Sequence, residues 1–495
     1  MADITVSTDI DTFLQSADNA AARASLGVIE YPVTGLVSSG DNSAKIQAVI
    51  NSVAANGGGD IVIPAGTWEI ASTLVISTSN VRLRGEGGGW NHDVASQGSQ
   101  AATTLKWIGT EFDGAVVISG SLDGAGAGVT KNGTRLGTVT GFATSDVAKY
   151  QGMLIKHVSS GVYDLIMDSA SGYVEIKAAS NAAWADSQSF KIYKPSVMVE
   201  VKSVYGDGTS ADKQSMYSGV SKIHFDCKLA HIGLRVIAAS RGEFNDLTFR
   251  EPKTAAIYMG VKNIGSQDKP SSPSTDPQFN NFERVVSRNF AGGEYGGLLV
   301  CTGLIQPWTS NTSFNRFSDF RAFYSKGDAF ILGSSDANQF NNMLCLRATA
   351  TPTGHSLKLL GSNISTEDVP RGNQFTQFGS SGGGQILCYG TDGGSSGNVN
   401  DVDIYQHPSH DNHFPMLNVG NGTPLPQIGF EADAYADTEF GHRYYCKESQ
   451  LVVGTNPTNL DDARANVTTE SLRIVNTGAN HMVLQGPATT DWRLR

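Results

Sequence analysis

Phe244-Asn245-Asp246-Leu247, Phe279-Asn280-Asn281-Phe282, Phe314-Asn315-Arg316-Phe317 and Phe340-Asn341-Asn342-Met343 share one pattern, apolar–polar–polar–apolar. It extends upstream to Val220-Ser221-Lys222-Ile223 and downstream to Phe375-Thr376-Gln377-Phe378 and Val399-Asn400-Asp401-Val402. The first positions are separated by 24, 35, 35, 26, 35 and 24 residues, the period of a solenoid. Between these units runs a second strand-like segment that often ends in Gly: Ala256–Gly260, Leu298–Cys301, Ala329–Gly333, Leu357–Gly361 and Ile386–Gly390. Two or three strands per repeat, stacked coil on coil, make an all-β parallel β-helix. Phe and Asn then stack on their equivalents one coil away, and an Asn ladder satisfies backbone groups at a turn. Leucine-rich and helical repeats lack their diagnostic spacing here.

Working outward from the repeat, residues 41–88 open the solenoid. Asp41-Asn42-Ser43 can cap a helix, and Ile46, Val49, Ile50 and Val53 share one helical face. Gly57-Gly58-Gly59 ends it. Strands follow through Ile70, with a turn at Pro64-Ala65-Gly66, and then Val81-Arg82-Leu83-Arg84-Gly85-Glu86-Gly87. A solenoid needs such an amphipathic cap over its first coil. The glycine run near residue 87 is not a dinucleotide loop, because no apolar helix follows it. Residues 121–200 interrupt the repeat with alternating stretches such as Tyr173–Ile176 between Gly and Ser clusters, and read as an inserted small β-rich module. Five regions result: 1–35, an N-terminal segment; 36–120, cap and first coils; 121–200, the module; 201–408, central coils; and 409–495, a C-terminal β-rich region.

Composition agrees. The 495 residues hold 56 Gly and only 17% charged residues, which suits many short strands and turns. A net charge of -11 argues against nucleic acid as a partner. The start Met1-Ala2-Asp3-Ile4-Thr5 lacks the basic and apolar runs of a secretory signal, and no stretch approaches a membrane span. Five cysteines without metal-type spacing read as buried free thiols, three of them (Cys301, Cys345, Cys388) inside apolar runs. Synthesis in a reducing cytoplasm follows.

The order cap helix, GGG, VIPAGTW and VRLRGEG resembles the opening of the pectate-lyase-like right-handed β-helix family. The stretch TDIDTFLQSADNAAARASLGV, with Phe13, Leu14, Ala17, Ala21 and Leu26 on one stripe, resembles a segment near the attachment end of phage tail fibres and tailspikes. The resemblance implies a phage tailspike-like depolymerase acting outside the cell on a bacterial polysaccharide (capsule, exopolysaccharide or O-antigen). It also implies a homotrimer supported by the C-terminal region, and attachment through a tail adaptor protein.

Aligning coils on the repeat makes Phe249, Val285, Phe320 and Leu346 equivalent inward residues. Strand alternation then sets two outward columns: Thr248, Arg284, Asp319 and Cys345, and Arg250, Val286, Arg321 and Arg347. Stacked guanidiniums call for local acids or an anionic glycan. Residues 220–371 carry 16 Lys and Arg against 13 Asp and Glu, a locally cationic belly that favours an acidic substrate. In β-elimination, Tyr295 or Tyr324 serves as base, and Arg250, Arg321 or Lys326 stabilises the charge that develops on a uronate. In hydrolysis, a carboxyl pair comes from Glu251, Glu294, Asp319 and Asp328. Lys253, Arg284, Arg288 and Arg347 are the candidate substrate-binding cations. β-Elimination is the first choice, hydrolysis the alternative, and a non-catalytic glycan-binding fibre the alternative from another class. No cofactor is required and no metal is assigned. Calcium is left open, because Asp207-Gly208 and Asp212 lack the full loop pattern. His407, His410 and His413, near Asp401, Asp403 and Asp411, match no strong metal spacing.

Overall fold

The computed structural model describes residues 30–86, 102–121, 135–137, 150–161, 163–170, 173–176, 189–203, 215–260, 277–288, 297–301, 312–323, 328–333 and 335–346, and single short segments beyond. Its shaft is a parallel β-helix, right-handed as parallel crossovers are. One long sheet stacks Gly219–Ser221, Glu243–Arg250, Asn281–Arg288, Arg316–Phe323 and Gln339–Leu346, all parallel and in register. A second stacks Leu74–Ile76, Val197–Lys202, Ile232–Ile237, Ala255–Gly260, Gly297–Cys301 and Phe330–Leu332. The parallel ladders go on to Leu417–Val419 and Ile428–Gly429. A five-stranded antiparallel sheet covers Arg443–Lys447 to Asp491–Arg493.

Each strand of the long sheet is bent. Asp246, Arg284, Asp319 and Asn342 have positive φ of 54–56°, and the ladder skips each of them. The residue before the bend faces out, and the residues on either side of that pair face in. Phe244, Phe282, Phe317 and Phe340 therefore stack down the core at 4.5, 5.1 and 4.8 Å between ring centres. Leu247, Val285, Phe320 and Met343 form the next inward column. The second sheet faces them with Leu234, Ile257, Leu299 and Phe330.

An asparagine ladder runs beside the phenylalanines. Asn280 donates to Asn315 Oδ1 (2.9 Å), Asn315 to Asn338 Oδ1 (3.0 Å) and Asn338 to Asn373 Oδ1 (2.9 Å). All four are fully or nearly fully buried. The coil signature is thus Asn-x-Phe, and it corrects the frame read from apolar–polar–polar–apolar. Phe282 and Phe317, not Phe279 and Phe314, are the core equivalents of Phe244 and Phe340. Phe279 and Phe314 lie outside, 55% and 52% exposed, stacked on each other at 5.5 Å. The ladder also pairs Phe249 with Ser287 and Ala322, not with Val285 and Phe320.

The cap helix Ser43–Ala55 buries Ile46, Ile50 and Val53 against the first coil. Its N-terminus departs from the simple cap. Asn42 turns its side chain to the 37–40 loop, and Asp41 Oδ1 accepts from the Ser43 N–H at 2.8 Å. The GGG that follows is required sterically: a Cβ on Gly58 would sit 2.6 Å from Asn80, and one on Gly59 2.6 Å from Tyr31. Cys227, Cys301 and Cys345 are buried and free, and burial pushes the Cys227 and Cys301 thiols well up.

The chain leaves the shaft after Trp107 and returns at Val197. Between them lies an antiparallel sheet in the order Ile118–Ser121, Ser189–Tyr193, Leu154–His157, Tyr163–Ala170, Tyr173–Ile176, Arg135–Gly137. One face has its own core, including Met153, Ile155, Ile166, Phe190 and Ile192. The other, through Leu154, Leu165 and Met167, joins Ile232, Ala255, Tyr258, Val300 and Ile331 on the outside of the second sheet.

Candidate functional site

Past the bend, the last residues of the long-sheet strands point outward at the root of the insert. In register they read Glu69, Lys106, Asp226, Arg250, Arg288 and Phe323. At one strand spacing per step, Glu69 to Arg288 spans about 19 Å along the shaft, the length of several sugars. The adjoining outward positions are Thr104, His224, Thr248, Val286 and Arg321.

The two ends of the charged column differ. Glu69 and Lys106 pair at 2.8 Å, which holds the Glu69 carboxyl below its ordinary range and the Lys106 ammonium above its own. Asp226 and Arg250 sit opposite each other on adjacent coils, yet among the described residues no ion pair joins them. Asp226 Oδ1, Arg250 Nε and Thr248 Oγ1 are buried without a hydrogen-bond partner. An unmet buried polar group costs about 1–3 kcal/mol, and a native structure retains few of them. Glu251 follows at the corner in a left-handed conformation (φ 52°). Its backbone N–H is held by the Arg288 carbonyl at 2.8 Å, and its carboxylate is in no ion pair among the described residues. Cys227, which follows Asp226, donates its N–H to the Arg250 carbonyl at 2.9 Å, so Asp226 and Glu251 occupy neighbouring backbone positions on adjacent coils.

The structure thus brings Arg250, Glu251 and Arg288 together, and adds Asp226, Lys106 and Glu69. It separates the rest. Arg284 lies at the bend, bound to Asp246 through two bonds (2.6 and 3.1 Å) and to Glu283, which raises its pKa. Asp319 is at the same bend one coil on and accepts from Asn342. Arg321 is one column over, beside Val286. Asp328 is buried, 3% exposed, at the entry to the second sheet. Lys253 is held by Glu111 of the insert root at 2.6 Å. The expected column Arg250–Val286–Arg321–Arg347 does not form: Arg250 meets Arg288, and Val286 meets Thr248. Tyr295, Glu294, Tyr324, Lys326 and Arg347 lie outside the described residues, as do the three histidines 407, 410 and 413, the aspartates 401, 403 and 411, and Asp207, Gly208 and Asp212. The N-terminal stripe from Phe13 to Leu26 and the side chain of Cys388 lie outside them too.

Asp226 was missed in the sequence although a signal existed. His224-Phe225-Asp226 precedes Thr248-Phe249-Arg250 by 24 residues, the spacing of Val220 and Phe244, and Phe225 stacks on Phe249 at 4.7 Å.

On the side of His231 the insert root is packed. Phe112 stacks on Tyr193 (4.2 Å) and on His231 (5.1 Å). His231 is fully buried, and its Nδ1 bonds Thr254 Oγ1 at 2.8 Å. Burial first, then Lys253 and Lys156, push its pKa well below the ordinary value.

No protein-family profile matches the chain, and no curated protein sequence does. Solved structures similar in architecture include ORF18 of Geobacillus virus E2 (14% identity, 96% of this chain and 78% of that one, TM-score 0.35). Others are pectate lyase Pel9A (12%, 89% and 85%, TM-score 0.36) and an iota-carrageenase from A. fortis (11%, 78% and 62%, TM-score 0.34). The likeness is one of general architecture and assigns no role to any residue.

Proposed function

We propose that the protein binds and cleaves a bacterial surface polysaccharide laid along the Lys106–Asp226–Arg250–Arg288 column. One observation carries this: Asp226 and Arg250 face each other on adjacent coils and leave polar atoms unmet, as groups kept for a ligand do. β-Elimination at an acidic sugar is the favoured reaction. Arg250 and Arg288 hold the uronate carboxylate and stabilise the charge that builds on it as the neighbouring proton leaves. Asp226 accepts from a sugar hydroxyl and fixes the ring. The proton acceptor falls to Tyr295 or Tyr324.

Hydrolysis is the second reading, supported by the neighbouring backbone positions of Asp226 and Glu251 on adjacent coils: one carboxyl would protonate the leaving oxygen and the other would act on the opposite face. As a phage tailspike-like depolymerase the chain works as a homotrimer on a tail adaptor, outside the cell in which it is made. The exposed, stacked Phe279 and Phe314 support a self-interface, and light scattering of the purified protein tests it.

The deciding experiment incubates the protein with a panel of acidic and neutral bacterial polysaccharides. Ultraviolet absorbance from unsaturated uronates and new reducing ends are followed together. Both signals rising establishes the lyase. Reducing ends alone shift the chemistry to Asp226 and Glu251. Neither signal, on a polymer the protein binds, leaves a glycan-binding fibre.

A further inference from the structure

The outer face of the second sheet changes character along the shaft. Its outward column reads Val75, Glu200, Arg235, Tyr258, Val300 and Ile331. The last three are apolar or aromatic and belong to the cluster that the insert joins. The charged pair sits where the insert does not close down. There, between the first coils and the insert's two connecting segments, lies a cavity of about 500 Å³. That volume is within the ordinary range for small-molecule sites.

Its walls suit a sugar acid. Val75 and Phe112, both half-buried, supply apolar surface, and Lys194, Lys202 and Arg235 supply cations against Asp113 and Glu200. Glu200 is only 4% exposed and is bound by Arg235 at 2.5 Å and Lys202 at 3.2 Å, which keeps its carboxyl below the ordinary range. A buried ion pair contributes little stability over apolar packing, and the neighbouring coils use apolar packing at the same position. Glu200, Arg235 and Lys202 all line the cavity. Lys194 and Asp113 are in no ion pair among the described residues and face the same space.

We propose that this cavity binds a uronate-bearing mono- or disaccharide unit, with the carboxylate on Lys194 and Arg235 and the apolar sugar face against Val75 and Phe112. It is a glycan-holding site at the insert root, separate from the charged column. It rests on the polysaccharide reading for its biology but not for its test.

The test is calorimetry on the full chain with digalacturonate and, as the neutral control, maltose. Digalacturonate is expected to bind, and Lys194→Glu is expected to weaken it at least about tenfold, the effect of losing one charge-assisted bond, with Tm unchanged. Because Arg250 of the column can itself hold a uronate, the titration is run in the Arg250→Ala background: digalacturonate binding that persists there and weakens on adding Lys194→Glu belongs to the cavity, and binding abolished by Arg250→Ala alone overturns the proposal. Equal binding of maltose, binding insensitive to Lys194→Glu, or no binding of either sugar would overturn the proposal. As Lys194 is half-buried, Lys194→Gln is run beside it. Weakening by both variants with native melting supports the site, and loss of binding only in a variant with a lowered Tm counts against it.

Discussion

Two columns of charge run down the same strands, four residues apart, and they are treated oppositely. At the bend, Lys222, Asp246, Arg284, Asp319 and Asn342 alternate in sign until the last, neutral member. Arg284 is bound to Asp246 and Asn342 to Asp319. Near the strand end, Asp226 and Arg250 also alternate in sign from coil to coil, yet they leave each other alone. The residue types are the same, and only the pairing differs. A left-handed bend exposes the side chain at a fixed corner, where the next coil's opposite charge neutralises it. The strand end borders the insert and two connecting segments, where a ligand can take the place of a partner. In a solenoid, repetition by itself does not mark function; a break in the pairing does.

The contrast is sharpest in the column. Arg250→Ala is expected to lower kcat/KM on a cleaved polysaccharide by about 10²–10³-fold, with Tm nearly unchanged because among the described residues the guanidinium supports no ion pair. A large fall in Tm with activity retained per folded molecule would make Arg250 structural. Asn315→Ala attacks the shaft instead. It removes bonds to the Pro277 and Ser313 carbonyls and to Asn338, and takes away the Oδ1 that accepts from the Asn280 backbone N–H and shares its Nδ2 with the Ala239 carbonyl. A loss of about 3 kcal/mol in denaturant unfolding is expected; a loss below 1 kcal/mol would mean that the ladder is ornamental.

Arg284→Ala breaks the paired column. Arg284 is 37% exposed, so solvent screening holds the expected cost to about 1 kcal/mol, with cleavage unaffected. A drop in kcat comparable to that of Arg250→Ala would erase the distinction between the columns.

The smallest effect concerns the insert root. The folded-state pKa of His231 lies well below 6.5, so the unfolded chain takes up the proton first. Stability from this group is full above about pH 6.5 and falls as pH drops toward the folded value. The wild type should lose about 1 kcal/mol between roughly pH 7.5 and 5.5 relative to His231→Asn, followed by thermal unfolding. Parallel curves for the two proteins would remove His231 from the account.

Much of the shaft was legible before any coordinates. Phe and Asn recur at solenoid spacing, the apolar face of 46–53 predicts a cap, and Gly57-Gly58-Gly59 marks its end. Strand alternation then says which residues face out. What failed was register. Phe279-Asn280-Asn281-Phe282 offers two phenylalanines three apart, and either can head a coil. The choice moves every outward residue of that coil; aligning Phe249 on Val285 put Arg250 beside Val286, whereas the Phe244–Phe282 register puts it beside Arg288. Asn280 settles it, because only one choice lets four asparagines meet. Arg250, Glu251 and Arg288 were still selected, since each is a charge near a strand end, whichever frame is used.

The amino-acid order by itself determined the kind of fold: the repeat period, the cap, the interruption at the insert, and the supply of cations on the central coils. These are local properties, set by side-chain volume and by alternation along one strand. The tertiary structure alone decided which charges find partners. Pairing depends on what lies one coil away, 23 to 38 residues distant in sequence, and on where a separate sheet folds back on the shaft. Asp226 and Arg250 become a candidate site only through that stacking, because an unmet hydrogen bond is a property of neighbours in space.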